Sequence, residues 1–127
     1  MPEQTPILSV EHLCMHFTSG RGKRKNTVRA VDDISFQIGE SETFGLVGES
    51  GCGKTTTGRA VIRLYKPTGG IIRVDGHDVS GTLSSQEHRF LSDTVAMIFQ
   101  DPIESLNPRM TIEEIVSEGL RVKGLRD

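Results

Sequence analysis

Gly48-Glu49-Ser50-Gly51-Cys52-Gly53-Lys54-Thr55-Thr56 decides how the rest of the chain is read. The stretch fits G-x-x-x-x-G-K-[ST], the pattern of a phosphate-binding loop. Its flanks fit as well: Glu42 to Val47 reads as a short apolar strand, and Lys54 to Leu64 reads as a helix. Glycines matter here because a loop wrapped around a phosphate chain needs unusual backbone angles and no side chains in the way. Consecutive N–H groups then point inward, and the positive end of the helix dipole adds to them. Lys54 is placed to reach the β- and γ-phosphates as a point charge, and the Thr55 hydroxyl to ligate Mg²⁺. A flexible glycine turn is the bland alternative, but it gives no reason for a strand before the loop and a helix after it. The loop is therefore expected to bind a nucleotide through Gly48, Glu49, Ser50, Gly51, Cys52, Gly53, Lys54, Thr55 and Thr56.

Composition bounds the rest. At 127 residues the chain has the size of one domain. Hydrophobic residues make up 35% and aromatics 5%, so any core is small and aliphatic. A net charge of −2 gives no electrostatic case for nucleic acid or an anionic membrane surface. Cys14 and Cys52 are too few for a disulfide framework and lack metal-site spacing, which favours a reduced, cytosolic setting. Cys52 fills a variable position of the loop. Met1 to Ser9 holds no long apolar run of the kind a signal peptide needs, and no run approaches the ~20 apolar residues that span a bilayer. Membrane association is thus expected to go through a partner.

Taken in order, Ile7 to Phe17 partly alternates and reads as a strand. The basic, glycine-containing run Ser19 to Asn26 reads as solvated surface. Val28 to Val31 and Ile34 to Ile38 resume strand character, and Gly39-Glu40 makes a turn. Ala60, Val61 and Leu64 form the apolar stripe of the helix that stops before Pro67. Thr68-Gly69-Gly70 is a turn, Ile71 to Val74 a strand, and Asp75-Gly76 a hairpin signal into His77-Asp78-Val79. Gln86 to Ser92 reads as a short helix, and Val95 to Phe99 as a buried strand. Pro102 and Pro108 force Gln100 to Met110 to be extended or turned. Thr111-Ile112-Glu113-Glu114 is a capping box, opening a helix with Ile112, Ile115, Val116 and Leu120 on one face and Gly124 as its stop. Histidines 12, 16, 77 and 88 are scattered, and solvated or structural roles are the default for all of them.

Met97-Ile98-Phe99-Gln100-Asp101-Pro102, followed by Ser105-Leu106-Asn107-Pro108-Arg109-Met110-Thr111, admits two readings. In a compact P-loop kinase or GTPase, Asp101 would be the Mg²⁺-binding acid at a strand end. Against that, Gln100 rather than Asp101 follows the last apolar residue, and Pro102 extends the loop.

The chain here resembles the ATP-binding subunits of ABC transporters, specifically the oligopeptide/dipeptide importer branch. The matching stretches are Ala30 to Phe36, Val47 to Thr56, Pro67 to Gly70 and Met97 to Thr111. The resemblance implies an α/β fold, a P-loop NTPase core of the ABC type (RecA-like) with an antiparallel β-subdomain. It divides the chain into 1–47 and 68–79 as mainly β-subdomain and core strands, 48–64 as phosphate loop and helix, 94–110 as strand and Q-loop, and 111–127 as the start of the helical subdomain. It implies that Gln100 is the Q-loop glutamine, which contacts Mg²⁺ or the attacking water, and that Phe17 is the aromatic that stacks on adenine. The basic insertion Arg21 to Asn26 puts that register in doubt, and a strand-core phenylalanine is the competing reading. Ala30 would lie near the ribose.

Catalytic roles thus fall on Lys54 and Gln100, metal binding on Thr55 and Gln100, with ATP and Mg²⁺ as cofactors. The implied partners are a second nucleotide-binding subunit (in this branch usually a different sister chain), two membrane-spanning permease subunits and, indirectly, a solute-binding protein, with no nucleic acid. The implied place is the cytoplasmic face of the membrane, held peripherally. The family's signature loop, Walker B strand and switch histidine do not occur in the sequence, so the chain reads as the N-terminal part of a nucleotide-binding domain whose intact parent hydrolyses ATP. A non-catalytic nucleotide-binding module is the alternative from another class.

Overall fold

A computed structural model describes residues 5–124. Residues 1–4 and 125–127, the ends of the spans 1–47 and 111–127, lie outside the described residues. The chain divides into two compact units, Met1–Ala96 and Met97–Asp127.

The first unit is built on an antiparallel sheet of order β2-β1-β3-β4. Its strands are β1 (Leu8–Ser19), β2 (Asn26–Ile38), β3 (Gly69–Val74) and β4 (His77–Asp78). Val10, Leu13 and Met15 of β1 face inward with Val31, Ile72 and Val74. Ala60 of helix α1 (Lys54–Val61), Leu91 of helix α2 (Ser85–Thr94) and Val79 complete this aliphatic core. Burying such side chains is the main driving force available to the unit.

β1 slips register against β2 between Val10 and Leu13, between Leu13 and Met15, and between Met15 and His16. His12 and Asp33 take positive φ at these irregularities, and the His12 amide donates to Ser35 Oγ at 2.8 Å. Bulges of this kind bend a strand and re-aim its side chains. The Asp75-Gly76 hairpin forms as expected, with Val74 paired to His77.

Several expectations are corrected. β2 is one 13-residue strand rather than two. Helix α1 ends at Val61, with Arg63 at positive φ, so Leu64 lies outside the helix and exposed instead of on its apolar stripe. Gly69 and Gly70 begin β3 rather than forming a separate turn. Residues 42–47 and 95–99 are not strands. A strand needs a neighbour to receive its N–H and C=O groups, and neither segment has a ladder partner among the described residues. Phe44 does stack on Phe36 with ring centroids 4.9 Å apart, but Val47 and Ile98 are each 93% exposed, against the expectation of a buried strand at 95–99.

In the second unit, residues 101–110 form a chain of turns, and helix α3 (Ile112–Val122) opens on the expected box. The Thr111 side chain accepts from the Glu114 amide, and Glu114 returns a bond to the Thr111 amide. No residue of this unit is buried among those described. Among the described residues of the whole chain, no helix is long and apolar enough to cross a membrane.

Candidate functional site

The phosphate loop folds as its glycines allow. Gly51 and Gly53 have φ of 79° and 97°, in the left-handed region. A side chain at Gly53 would also place its Cβ 2.2 Å from the Ala30 carbonyl oxygen, so the loop can lie against β2 only with glycine there. α1 begins immediately after it, at Lys54. The Lys54 ammonium turns back over the loop and donates to the carbonyl oxygens of Gly48 (2.7 Å) and Glu49 (2.6 Å), with Cys52 Sγ at 3.4 Å. The cation thereby rests on the loop's own carbonyl oxygens.

The threonines of α1 divide their work. Thr57 is buried, and its hydroxyl donates to the Gly53 carbonyl at 2.9 Å, tying the helix to the loop. Thr55 is exposed, and no hydrogen bond engages its hydroxyl among the described residues. A hydroxyl is the kind of hard oxygen donor that Mg²⁺ prefers.

A cavity of about 350 Å³ opens beside the loop, lined by Ala30, Val31, Leu46, Val47, Gly53 and Lys54 among others. Ala30 thus lies next to the phosphate loop. Phe17 is not among the residues lining this cavity. Its ring meets Tyr65 edge-on, centroids 5.7 Å apart, and is otherwise half exposed. The side chain is therefore neither buried in the strand core nor placed at the cavity wall.

Gln100 and Asp101 belong to the second unit. The Gln100 side chain is exposed. Asp101 is engaged by its own loop: Oδ1 accepts the amides of Ile103 (2.9 Å) and Glu104 (3.1 Å), and Ser105 Oγ donates to its carbonyl. That is the geometry of a turn-capping aspartate, and it disfavours Asp101 as a Mg²⁺ carboxylate.

Outside the loop, the structure brings together residues that spacing alone left apart. His16 Nε2 lies 3.1 Å from Asp32 Oδ1, and His12 Nδ1 lies 2.6 Å from Asp33 Oδ1. The His16 hydrogen bond holds the Asp32 carboxyl below the usual carboxylate range, opposed by burial and with smaller help from Arg29. No one-dimensional signal marks these pairs, because strands β1 and β2 bring them together through a bulged register.

A family model described as ABC transporter matches residues 31–125. The chain is 50% identical over 119 residues to the oligopeptide transport ATP-binding protein OppF of Bacillus subtilis, covering 94% of this chain and 38% of that protein. It is 45% identical over 118 residues to the oligopeptide transport ATP-binding protein AppF of the same organism, covering 91% of this chain and 36% of that protein. The chain thus spans well under half the length of these relatives. Among solved structures, the dimeric bacterial ABC transporter cassette MJ0796 superposes with a TM-score of 0.76 at 24% identity, covering 91% of this chain and 47% of that one. That likeness concerns the fold.

Proposed function

The chain belongs to the ABC transporter family, and on that premise we propose that it binds ATP and contributes to an ATPase that powers import of peptides or related small solutes. The observation that carries this reading is the phosphate loop itself: left-handed Gly51 and Gly53, α1 starting at Lys54, and the Lys54 ammonium folded over the loop carbonyls. Residues 48–56 grip the phosphates through main-chain amides. Lys54 moves from the carbonyls of Gly48 and Glu49 to the phosphate oxygens and stabilises the charge that develops on them during transfer to water. Thr55 and Gln100 would hold Mg²⁺, which supplies further charge neutralisation when bound. Phe17 would stack on the adenine, which requires its ring to leave Tyr65 or to offer its free face.

The spans 1–47 with 68–79, 48–64, 94–110 and 111–127 are proposed as β-subdomain and core strands, phosphate loop and helix, Q-loop segment, and start of the helical subdomain. The whole protein would pair with a second nucleotide-binding subunit, usually a sister chain, and with two permease subunits at the cytoplasmic face of the membrane. Both oligopeptide transport relatives, OppF and AppF, support the peptide assignment.

The test is a titration of Mg-ATP, followed with a fluorescent analogue, into the 127-residue chain and its Lys54→Ala variant. Loss of one charged phosphate contact is expected to weaken binding by at least about tenfold, the equivalent of ~1.4 kcal/mol. Unchanged affinity in Lys54→Ala would sink the reading. Comparing Asp101→Ala with Gln100→Ala separates it from a kinase-like use of Asp101: loss of Mg²⁺-dependent binding is expected with Gln100→Ala and not with Asp101→Ala.

A further inference from the structure

The outward face of the sheet, turned away from the core, carries a cluster to which the nucleotide reading gives no role. Cys14 and His16 stand two residues apart on β1, flanking buried Met15, so both project to the face opposite the core. Asp32 follows buried Val31 on β2 and joins them. Cys14 Sγ, a nitrogen of His16 and a carboxylate oxygen of Asp32 all lie within 4.8 Å of one another.

We propose that Cys14, His16 and Asp32 form a binding site for a divalent cation of the zinc class. The donor set decides the class: a thiolate and an imidazole favour a borderline or soft ion, while hard Mg²⁺ seeks oxygen ligands. Zn²⁺ bonds of about 2.0–2.3 Å at tetrahedral angles separate ligand atoms by roughly 3.3–3.7 Å. The His16–Asp32 separation of 3.1 Å is already close to that, and the half-buried Cys14 thiol, which rests 3.6 Å from the His12 carbonyl oxygen, closes the set by a change of χ1. Space is available, since Cys14 pairs with Gly69 of β3, which puts no side chain over the sulfur.

The surroundings order the ligands. Thr68 Oγ1 donates to the Cys14 carbonyl (2.9 Å) and accepts from the His16 amide (3.0 Å), fixing the backbone on both sides of Met15. Arg29 Nη1 lies 3.4 Å from Asp32 Oδ2, which leaves Oδ1 for the ion and orients the carboxylate as an outer partner would. Three protein ligands leave a fourth position for water or another donor. Asp32 also lines the cavity beside the phosphate loop, so an ion here would stiffen one wall of that cavity.

The experiment is a Co²⁺ titration of the 127-residue chain carrying Cys52→Ser, which removes the competing thiol. A thiolate-to-cobalt charge-transfer band is expected, saturating near one equivalent, discharged by Zn²⁺ and unaffected by excess Mg²⁺. The band should vanish in Cys14→Ser, and the dissociation constant should rise about tenfold or more in His16→Gln and in Asp32→Asn. In the unsubstituted chain, Zn²⁺ should raise the melting temperature in a concentration-dependent way. No saturating band, or a band that persists in Cys14→Ser, overturns the proposal. A dissociation constant indifferent to both His16→Gln and Asp32→Asn also overturns it, leaving His16–Asp32 as a plain hydrogen bond beside a bystander thiol.

Discussion

At the scale of single residues, the phosphate loop is defined by what its glycines exclude. A Cβ at position 53 would collide with the backbone oxygen of Ala30, and the φ of 97° is itself costly for any other residue. A Cβ at position 48 would instead meet Cys52 Sγ at 2.5 Å, the movable end of a side chain. The two substitutions should therefore differ. Gly53→Ala is expected to destabilise the first unit by about 1–3 kcal/mol, the usual range for imposed backbone strain, and to abolish nucleotide binding. Gly48→Ala is expected to cost less, because Cys52 turns away. Denaturant unfolding of the two variants, with nucleotide titration alongside, checks the ranking; equal losses would contradict it.

At the scale of elements, helices α2 and α3 are set at their first turns. Ser84 accepts from the Glu87 amide at 3.3 Å while Glu87 accepts from the Ser84 amide at 2.6 Å, and Thr111 with Glu114 repeats the arrangement. Ser84→Ala should cost about 1 kcal/mol of α2 stability. Glu87 is held below its ordinary pKa of 4.5 chiefly by the hydrogen bond from Ser84, and Glu114 likewise by Thr111. A carboxylate whose folded-state pKa is depressed adds stability that is present above the ordinary glutamate range and disappears as pH falls through the folded value. Helicity measured by circular dichroism should therefore decline on acidification below about pH 4.5, and Ser84→Ala should blunt the part belonging to α2. A helical signal flat across that range would contradict the capping account.

These elements also mark what the sequence discloses. A capping box, the Asp75-Gly76 hairpin and the loop before Lys54 depend on residues a few positions apart, so each is readable along the chain. Residues 42–47 and 95–99 are different: their apolar composition is plain, yet ladder formation depends on a neighbour contributed from elsewhere. The nearness of Cys14, His16 and Asp32 was equally hidden, because it follows from bulges that shift β1 past β2. Lys54 could be assigned a charge-bearing role from its position, but not its resting bonds to Gly48 and Glu49.

At the scale of the whole molecule, burial is unevenly shared. Among the described residues, the buried aliphatic side chains all lie in the first unit, which yet leaves Val47 bare. The second exposes Ile98, Ile103, Ile112 and Val116, and none of its described residues is buried. Contiguous uncovered apolar surface promotes association. The 127-residue chain is expected to enhance the fluorescence of an apolar dye and to self-associate as concentration rises. Ile98→Lys should lower both signals, as read by dye titration and sedimentation; a monodisperse monomer indifferent to that change would contradict the expectation.

The parked ammonium of Lys54 has one more consequence. Since it already satisfies two carbonyl oxygens, ligand entry is an exchange in which those bonds are surrendered before new ones are made. Chloride, a single sphere of charge, returns too little to compensate, whereas a polyphosphate repays the loss with several oxygens at once. On the proposed reading, the resting loop would discriminate by denticity, favouring a polyphosphate over the common small anions around it.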